Sequence, residues 1–511
     1  MDALKDECGI IAVYQMGKRH EERNVTPIVV RGLMDLQNRG QLSAGLTSYN
    51  PTRNRILQTH KGVGTVQEVF HLGNPTQGSR LMEEYAGGAA IGHTRYATSG
   101  ASDIALAQPF ERVHGRMWKW FAIGFNGNLA NYHQLSEQLE ESGYHITYHS
   151  DTEVMMHYIN RELRGEEPPE FGTVFGNLSS LFDGAYNIVF LNAVGEMVVM
   201  RDPLGIKPLC YGIKDELLVV ASESNVLLHL DMEPVTVAPG EMIVASREGW
   251  RKERFFPEQK PAHCFFEWTY FANLASNLDG RAVYQARQAM GKELADQEIA
   301  AQRTPLDTTD RIVVPIPETA YTVGQAYAFH LGLPVQAGLL RNRYVGRTFI
   351  DGLNRADSIR MKFTPLREVL EGKKVHLVDD TLVRATTLKT VIADLRVRGG
   401  AREIHVRIGC PPILGPCFYG IDMPTIRELF APTYMENAPT PELSDKIQAA
   451  MAKELGADSL IFLSMEALIR AIGLPHDNLC LACLNNHYPT PTGRLLYQQA
   501  RLDAGLKPMK P

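Results

Sequence analysis

The sequence predicts two domains of different class: an α+β first half with mainly antiparallel strands, then an α/β second half on a parallel, doubly wound sheet. Three observations carry this. At 511 residues the chain is long enough for two or more hydrophobic cores. Up to about residue 245 its apolar runs are short, often alternating, and punctuated by Gly, Asn and Asp, as strands joined by turns require. After about Cys264, strand-like and helix-like patterns take turns, which favours a parallel sheet.

In the first half CGIIAVY, GGAAIGHTRYAT, WFAIGFNGNL, AYNIVFLN, EMVVMRDP and ELLVVASES read as strands. Helical periodicity falls in TPIVVRGLMDLQNRG and DTEVMMHYINREL. The charged, Pro-interrupted REGWRKERFFPEQKPAH places the junction between a domain at 8–245 and one at 260–470. Beyond it RIVVPIP, LPVQAGLL, KKVHLVDD and REIHVRIGCPP read as buried strands, separated by helices such as VYQARQAMGKELADQEIAAQ and TLKTVIADLRV. From Pro441 onward, including a tail at 471–511, the chain reads as mostly helical.

Composition narrows the function classes. The 52 basic and 58 acidic residues give a net charge of -6, and no basic run suggests nucleic acid as a partner. No apolar stretch reaches the ~18–20 residues that span a bilayer. MDALKDECGI lacks the basic and apolar segments of a secretory signal, so a cytoplasmic location is expected. Seven cysteines, an odd number spread over the chain, argue against a disulfide framework.

Chemistry concentrates first at VHLVDDTLVRATT, residues 375–387. An apolar strand ends in Asp379 and Asp380, a loop of hydroxyls with one Arg follows, and a helix begins. The carboxylates can hold ribose hydroxyls or Mg²⁺, and the N–H groups of the helix start can hold a phosphate. An acidic turn that merely caps the next helix is the plainer alternative. Cys8 is the second focus. If residues 1–7 were removed, it would supply a nucleophilic thiol together with an α-amino group of pKa near ~8 to serve as base.

Cys8 has company. LQNRGQLSAG at 36–45, GHTRYATSG at 92–100, FNGNL at 125–129, SDTE at 150–153, RDPLGIKPL at 201–209 and ASES at 221–224 follow it. Together these resemble the glutaminase domain of the N-terminal-nucleophile amidotransferases, whose fold stacks two antiparallel sheets between helices. The resemblance implies that Cys8 attacks the glutamine amide through a thioester and that Asn126 and Gly127 donate to the oxyanion. It implies Arg95 for the substrate carboxylate, Asp151 for its ammonium, and Tyr96 and Thr98 as pocket walls. Taken singly, Arg95 reads as a surface ion pair, Asn126-Gly127 as a hairpin turn and Asp151 as a helix cap. Asn38 and Phe125 stand where that family often has His.

The 375–387 segment resembles the ligand loop of the type I phosphoribosyltransferases. RNRYVGRTFI at 341–350, PIPETAY at 315–321, FYGIDMP at 418–424 and ELGADSLIF at 454–462 extend the likeness. With both halves in this order, the chain resembles the glutamine amidotransferases that act on phosphoribosyl pyrophosphate. That resemblance implies amination of phosphoribosyl pyrophosphate to 5-phosphoribosylamine, the first committed step of purine synthesis, with purine nucleotides as feedback inhibitors and a homotetrameric assembly. It assigns Thr381, Arg384, Ala385, Thr386 and Thr387 to the 5′-phosphate, Asp379 and Asp380 to ribose or Mg²⁺, and Arg343, Tyr344, Arg347 and Thr348 to a loop closing over pyrophosphate. Ala385 replaces a usual Gly, and Ala320 a frequent Ser beside the metal, where its side chain cannot ligate. FANLAS at 271–276 also departs from the usual form.

CLAC, with Cys480 and Cys483, has a spacing that can chelate one metal centre. Cys264 and Cys417 match the cluster-bearing branch of the family, and the resemblance implies a structural [4Fe–4S] cluster on these four residues. Spacing alone leaves Zn²⁺ and plain burial open, with Cys410 as the rival ligand to Cys417. Two other readings of the whole chain stay open: a regulator that binds the phosphoribosyl ligand without efficient catalysis, and an enzyme that uses ammonia only.

Overall fold

Alternation along the first strand sets the layering of the amino-terminal half. In β1 (Asp6–Gln15), Ile10, Ala12 and Tyr14 join one core while Ile11 and Val13 join another, because successive side chains of a strand leave opposite faces. The structure is a computed structural model and describes residues 6–20, 22–97, 103–301, 308–342, 360–435 and 440–506. Further strands of this half are β2 (Ser43–Tyr49), β3 (Leu57–Val63), β4 (Ala89–Ala97), β5 (Phe110–Arg112), β6 (Phe121–Leu129) and β7 (Gly184–Asn192). They continue with β8 (Met197–Arg201), β9 (Cys210–Lys214), β10 (Leu217–Ala221), β11 (Val235–Thr236), β12 (Glu241–Ser246) and β13 (Gly249–Arg254).

One sheet runs β11-β9-β10-β1-β4-β2-β3 and the other β13-β12-β8-β7-β6-β5, with antiparallel pairing throughout. Ile10, Ala12, Ile91, Ala122 and Val189 fill the space between the sheets. The helix Thr26–Asp35 covers the first sheet. Tyr132–Glu141, Asp151–Glu162 and Phe171–Leu181 cover the second, packing on Phe121, Ile123 and Phe125. The layers are therefore helix, sheet, sheet, helix.

β13 pairs with β12, so this sheet continues to Arg254, past the boundary placed at residue 245. Its charged residues lie on an exposed edge strand, where charge protects an unpaired edge. That charge is why the segment resembled a linker.

The carboxy-terminal half is built on four parallel strands in the order Arg311–Pro315, Lys374–Asp379, Glu403–Ile408, Ser459–Phe462. Helices Val283–Ala301, Tyr321–Leu331 and Met465–Ile472 pack together, and Ala385–Val397 packs on Asp445–Leu455. LPVQAGLL is not a full member of the sheet. Val335 makes a single bridge to Val313, and Leu339–Arg341 turns into an antiparallel ribbon with Phe363–Pro365. The region after Pro441 carries the helices Asp445–Leu455, Met465–Ile472 and Pro491–Asp503, and Ser459–Phe462 within it supplies the fourth strand.

A buried ionic network joins the halves. Arg39 is fully buried and contacts Glu223 at 2.5 Å and Glu267, from the second half, at 2.6 Å. Lys207 Nζ stands 3.5 Å from Glu267. Asn38 donates to Glu223 Oε1 (2.9 Å) and to the Phe271 carbonyl (3.2 Å). The amide of Asn273 and the hydroxyl of Ser276 both donate to Glu223 Oε2 at 2.7 Å, so FANLAS is the second half's seat on the first. Burial works against the charge on Glu267, but Arg39 and Lys207 outweigh it and hold its carboxyl below the usual range. Arg39→Leu leaves two buried carboxylates short of their main cation and is expected to cost about 3–5 kcal/mol. Thermal unfolding checks this, and an unchanged midpoint would refute it.

Candidate active sites and the cysteine-lined cavity

Strand parity assembles the first site. Cys8 is two residues from Ile10, so it shares the face between the sheets, and it is buried. Its Cα partner across the ladder is Arg95 of β4, which is buried and shares its face with Ile91. Asn126 of β6 alternates with Phe125 and shares its face with Ala122, so it enters the same space from the other sheet. Cys8, Arg95 and Asn126 thus meet in one layer. Arg95 is no surface residue, and Asn126-Gly127 lies within a strand rather than at a hairpin turn.

Asn126 Nδ2 donates to Ser222 Oγ at 3.3 Å, and Ser222 Oγ accepts from Ile10 N at 3.1 Å, linking the two sheets beside Cys8. Asn126 Oδ1 has no hydrogen-bond partner among the described residues. Gly127 has φ +151°, and a Cβ there would lie 1.9 Å from the Ala185 carbonyl oxygen. Only glycine fits. His93 Nε2 is 2.9 Å from the Phe125 carbonyl, and burial lowers its pKa to about 3, so the ring is neutral and donates there. Asp151 opens its helix, but Ser150 caps it by accepting from Glu153 N. Asp151 Oδ2 instead accepts from Leu129 N at 2.7 Å, at the end of β6. Tyr96 alternates to the face opposite Arg95, and Thr98 lies outside the described residues. Phe125 belongs to the core under the helices.

The second site lies at the carboxyl end of the strand Lys374–Asp379 in the parallel sheet, where ligands of such sheets bind. Burial and mutual repulsion raise the carboxyl pKa of Asp379; Asp380 is raised chiefly by burial, against the pull of Thr319 and Arg287. Thr319 Oγ1 donates to Asp380 Oδ1 at 2.6 Å and Thr381 Oγ1 to Oδ2 at 3.2 Å. Arg287 is buried, held by the Trp268 and Ala272 carbonyls, and its charge bears on both Asp380 and Glu223. Neither Thr319 nor Arg287 carries a local sequence signal of its place beside Asp380. Thr319 sat in PIPETAY beside Ala320, which is itself a fully buried cap position with no side-chain hydrogen bond.

The helix Ala385–Val397 begins directly after the loop, with Thr386 and Thr387 exposed in its first turn. Its free N–H groups make that end a natural anion site. Ala385 is the first helical residue and does not take a positive φ, so its Cβ costs no backbone strain. Ala385→Gly is therefore expected to destabilise the protein by at most about 1 kcal/mol and to bring no gain in ligand affinity. Calorimetric titration with phosphoribosyl pyrophosphate checks this, and tighter binding would refute it. Arg384 turns away to Glu428 at 2.9 Å. Arg343, Tyr344, Arg347 and Thr348 lie outside the described residues.

Cys264, Cys417, Cys480 and Cys483 line one cavity, walled also by Phe265, Phe266, Ile421 and Tyr488. Cys264 and Cys480 are partners in a short parallel bridge between the strands His263–Cys264 and Leu479–Cys480. Cys410, the rival ligand, is fully buried but is not among the residues lining the cavity. Burial pushes the Cys480 thiol up to about 12 and those of Cys264 and Cys483 well above their ordinary value. Among the described residues, no group of three or more His, Cys, Asp or Glu side chains is gathered so as to hold a single metal ion. No helix among them is long and apolar enough to cross a membrane.

A glutamine amidotransferase domain family matches residues 63–243. The amidophosphoribosyltransferase of Methanothermobacter thermautotrophicus is 38% identical over 494 residues, spanning 96% of this chain and 95% of its own. That of Bacillus subtilis is 37% identical over 500 residues, spanning 95% of each. Among solved structures, a glutamine phosphoribosylpyrophosphate amidotransferase from B. subtilis complexed with ADP and GMP superposes with a TM-score of 0.80. It is 35% identical, covering 95% of this chain and 98% of that one. A structure described as the allosteric regulatory enzyme of purine biosynthesis gives 0.81 at 36% identity, covering 95% and 97%.

Proposed function

The chain belongs to the amidophosphoribosyltransferase family, and from that premise we propose that it aminates phosphoribosyl pyrophosphate with nitrogen from glutamine. Glutamine and water give glutamate and ammonia at the first site. At the second, ammonia displaces pyrophosphate from C1 to give 5-phosphoribosylamine, the first committed step of de novo purine biosynthesis. The observation that carries this reading is the convergence of Cys8, Arg95 and Asn126 between two sheets, in a chain whose other half presents Asp379 and Asp380 at a sheet end.

Residues 1–7 must be removed, because β1 continues through Asp6 and Glu7 and the nitrogen of Cys8 is otherwise a peptide N–H. The freed α-amino group takes the thiol proton as sulfur attacks the amide carbon. Gly127 N–H and the Asn126 amide, turning from Ser222, stabilise the oxyanion. Arg95 pairs with the glutamine carboxylate and Asp151 with its ammonium. In the second half the first turn of Ala385–Val397 receives the 5′-phosphate, and Arg343, Tyr344, Arg347 and Thr348 close over pyrophosphate.

Two groups fit the residues present. Asp379 and Asp380 are the kind of carboxylate pair that holds Mg²⁺ together with substrate oxygens, and such an ion supplies charge neutralisation to pyrophosphate when bound. The four buried thiols around an apolar cavity are the donor set of a [4Fe–4S] cluster, which would tie the tail to the second half. Ligation would hold those thiols as thiolates despite their burial. The assembly is a homotetramer in the cytoplasm, inhibited by purine nucleotides.

Mass spectrometry of the purified amino terminus, combined with pyrophosphate release driven by glutamine or by ammonia, tests the reaction. A chain starting at Cys8 with glutamine-driven release is the expected result. Turnover with ammonia alone would replace this reading with an ammonia-only enzyme, and ligand binding without turnover with a regulator. Iron and sulfide analysis of the protein and of Cys417→Ser tests the cluster. Zinc in place of iron, or a full cluster retained in the variant, would overturn the assignment.

A further inference from the structure

The strand that carries the oxyanion donors is held in place by the other half of the molecule. Asn128, buried and one residue beyond Gly127, donates from Nδ2 to the Phe418 carbonyl at 2.9 Å. Gly420 presses on the same strand, since a Cβ there would stand 3.1 Å from the carbonyl carbon and oxygen of Gly127. A second tie lies just beyond. Ala130 N donates to the Asp183 carbonyl at 2.7 Å, and the Asp183 carboxylate accepts from Thr492 N at 2.8 Å. Residues 418–420 are themselves anchored. Tyr419 N donates to Cys417 Sγ at 3.3 Å, its hydroxyl meets Thr490 Oγ1 at 3.1 Å, and Tyr488 OH donates to the Pro416 carbonyl at 2.6 Å.

We infer that Asn128 is a positioning residue for glutamine hydrolysis, and that the segment 418–420 is the strut against which it sets the Asn126–Gly127 donors. The inference rests on the reaction proposed above. Oxyanion donors act only when aimed at the charge that develops in the transition state, so a small shift of β6 costs turnover and not binding. The glutamine carboxylate is gripped by Arg95, which stands on β4 in the other sheet. Ammonia use bypasses β6 altogether.

Asn128→Asp keeps the shape of the side chain but removes its donor, and Gly420→Ala adds a methyl against Gly127. Steady-state kinetics on the full-length, processed protein should show kcat for glutamine hydrolysis falling about 10–100-fold in each variant. KM for glutamine and the ammonia-driven rate of pyrophosphate release should stay at the wild-type values. Wild-type kcat in Asn128→Asp would overturn the inference, and so would an equal loss of the ammonia-driven rate, which marks a merely structural residue. A wild-type protein that fails to release pyrophosphate with glutamine would instead sink the proposed reaction itself.

Discussion

Cys8→Ala is expected to lose glutamine-driven pyrophosphate release by at least ~10³-fold while keeping the ammonia-driven rate. The thiol lies on the inner face of β1 opposite Arg95, and the substitution removes one sulfur atom from a site where alanine is easily housed. Cys8 belongs to β1 of the first half and Asp379 and Asp380 to the sheet end of the second, so the loss should be confined to one nitrogen source. Parallel assays with glutamine and with ammonium salt at saturating phosphoribosyl pyrophosphate measure both rates. Equal loss with both sources would mean that Cys8 supports the fold rather than the chemistry. Persistence of the glutamine rate would move the nucleophile elsewhere.

Asp380→Asn should have the complementary signature, a fall of roughly 100-fold or more with either nitrogen source. Asp380 is buried at the end of its strand and accepts from Thr319 and Thr381, and an amide oxygen can still take the Thr319 hydrogen bond. What disappears is one of two adjacent carboxylates, both of which burial disfavours as charged groups. The ligand-free variant should consequently unfold at no lower a temperature than the wild type. Activity lost without stability lost identifies a pair kept for its ligand. A lower midpoint together with retained turnover would reduce the pair to a structural turn.

Much of the scaffold was legible because strands with one face toward each core write an alternating pattern. β1, β4, β6, β7, β8 and β10 all overlap segments recognisable from their sequence, as do the helices Thr26–Asp35, Asp151–Glu162, Val283–Ala301 and Ala385–Val397. Others left no such trace. Every residue of β2 is buried, including Ser43, Thr47 and Ser48, so polar side chains hide a fully enclosed strand. LPVQAGLL reads as a strand, yet most of it lies apart from the sheet because its apolar residues serve a ribbon. At the sites, residue types were visible and their meetings were not. Cys8 and Arg95 are joined only through strand register, and Asn128 reaches Phe418 across 290 residues. No local pattern encodes such pairs. Thr319, Arg287 and Glu223 escaped notice for the same reason, since their importance lies in what they face.

The Arg39 network has a consequence for modularity. A glutaminase half of this kind invites transplantation onto other ammonia-consuming enzymes, as though it were a cartridge. Here the seam passes through a buried charge whose partners, Glu223 and Glu267, belong one to each side. A chimera cut near residue 255 inherits Arg39 and Lys207 without Glu267, and Glu223 without the donors of Asn273 and Ser276. Recombination of the halves therefore succeeds only where the new partner brings a matching carboxylate and the two donors with it, so the two halves of this chain are tied to change together.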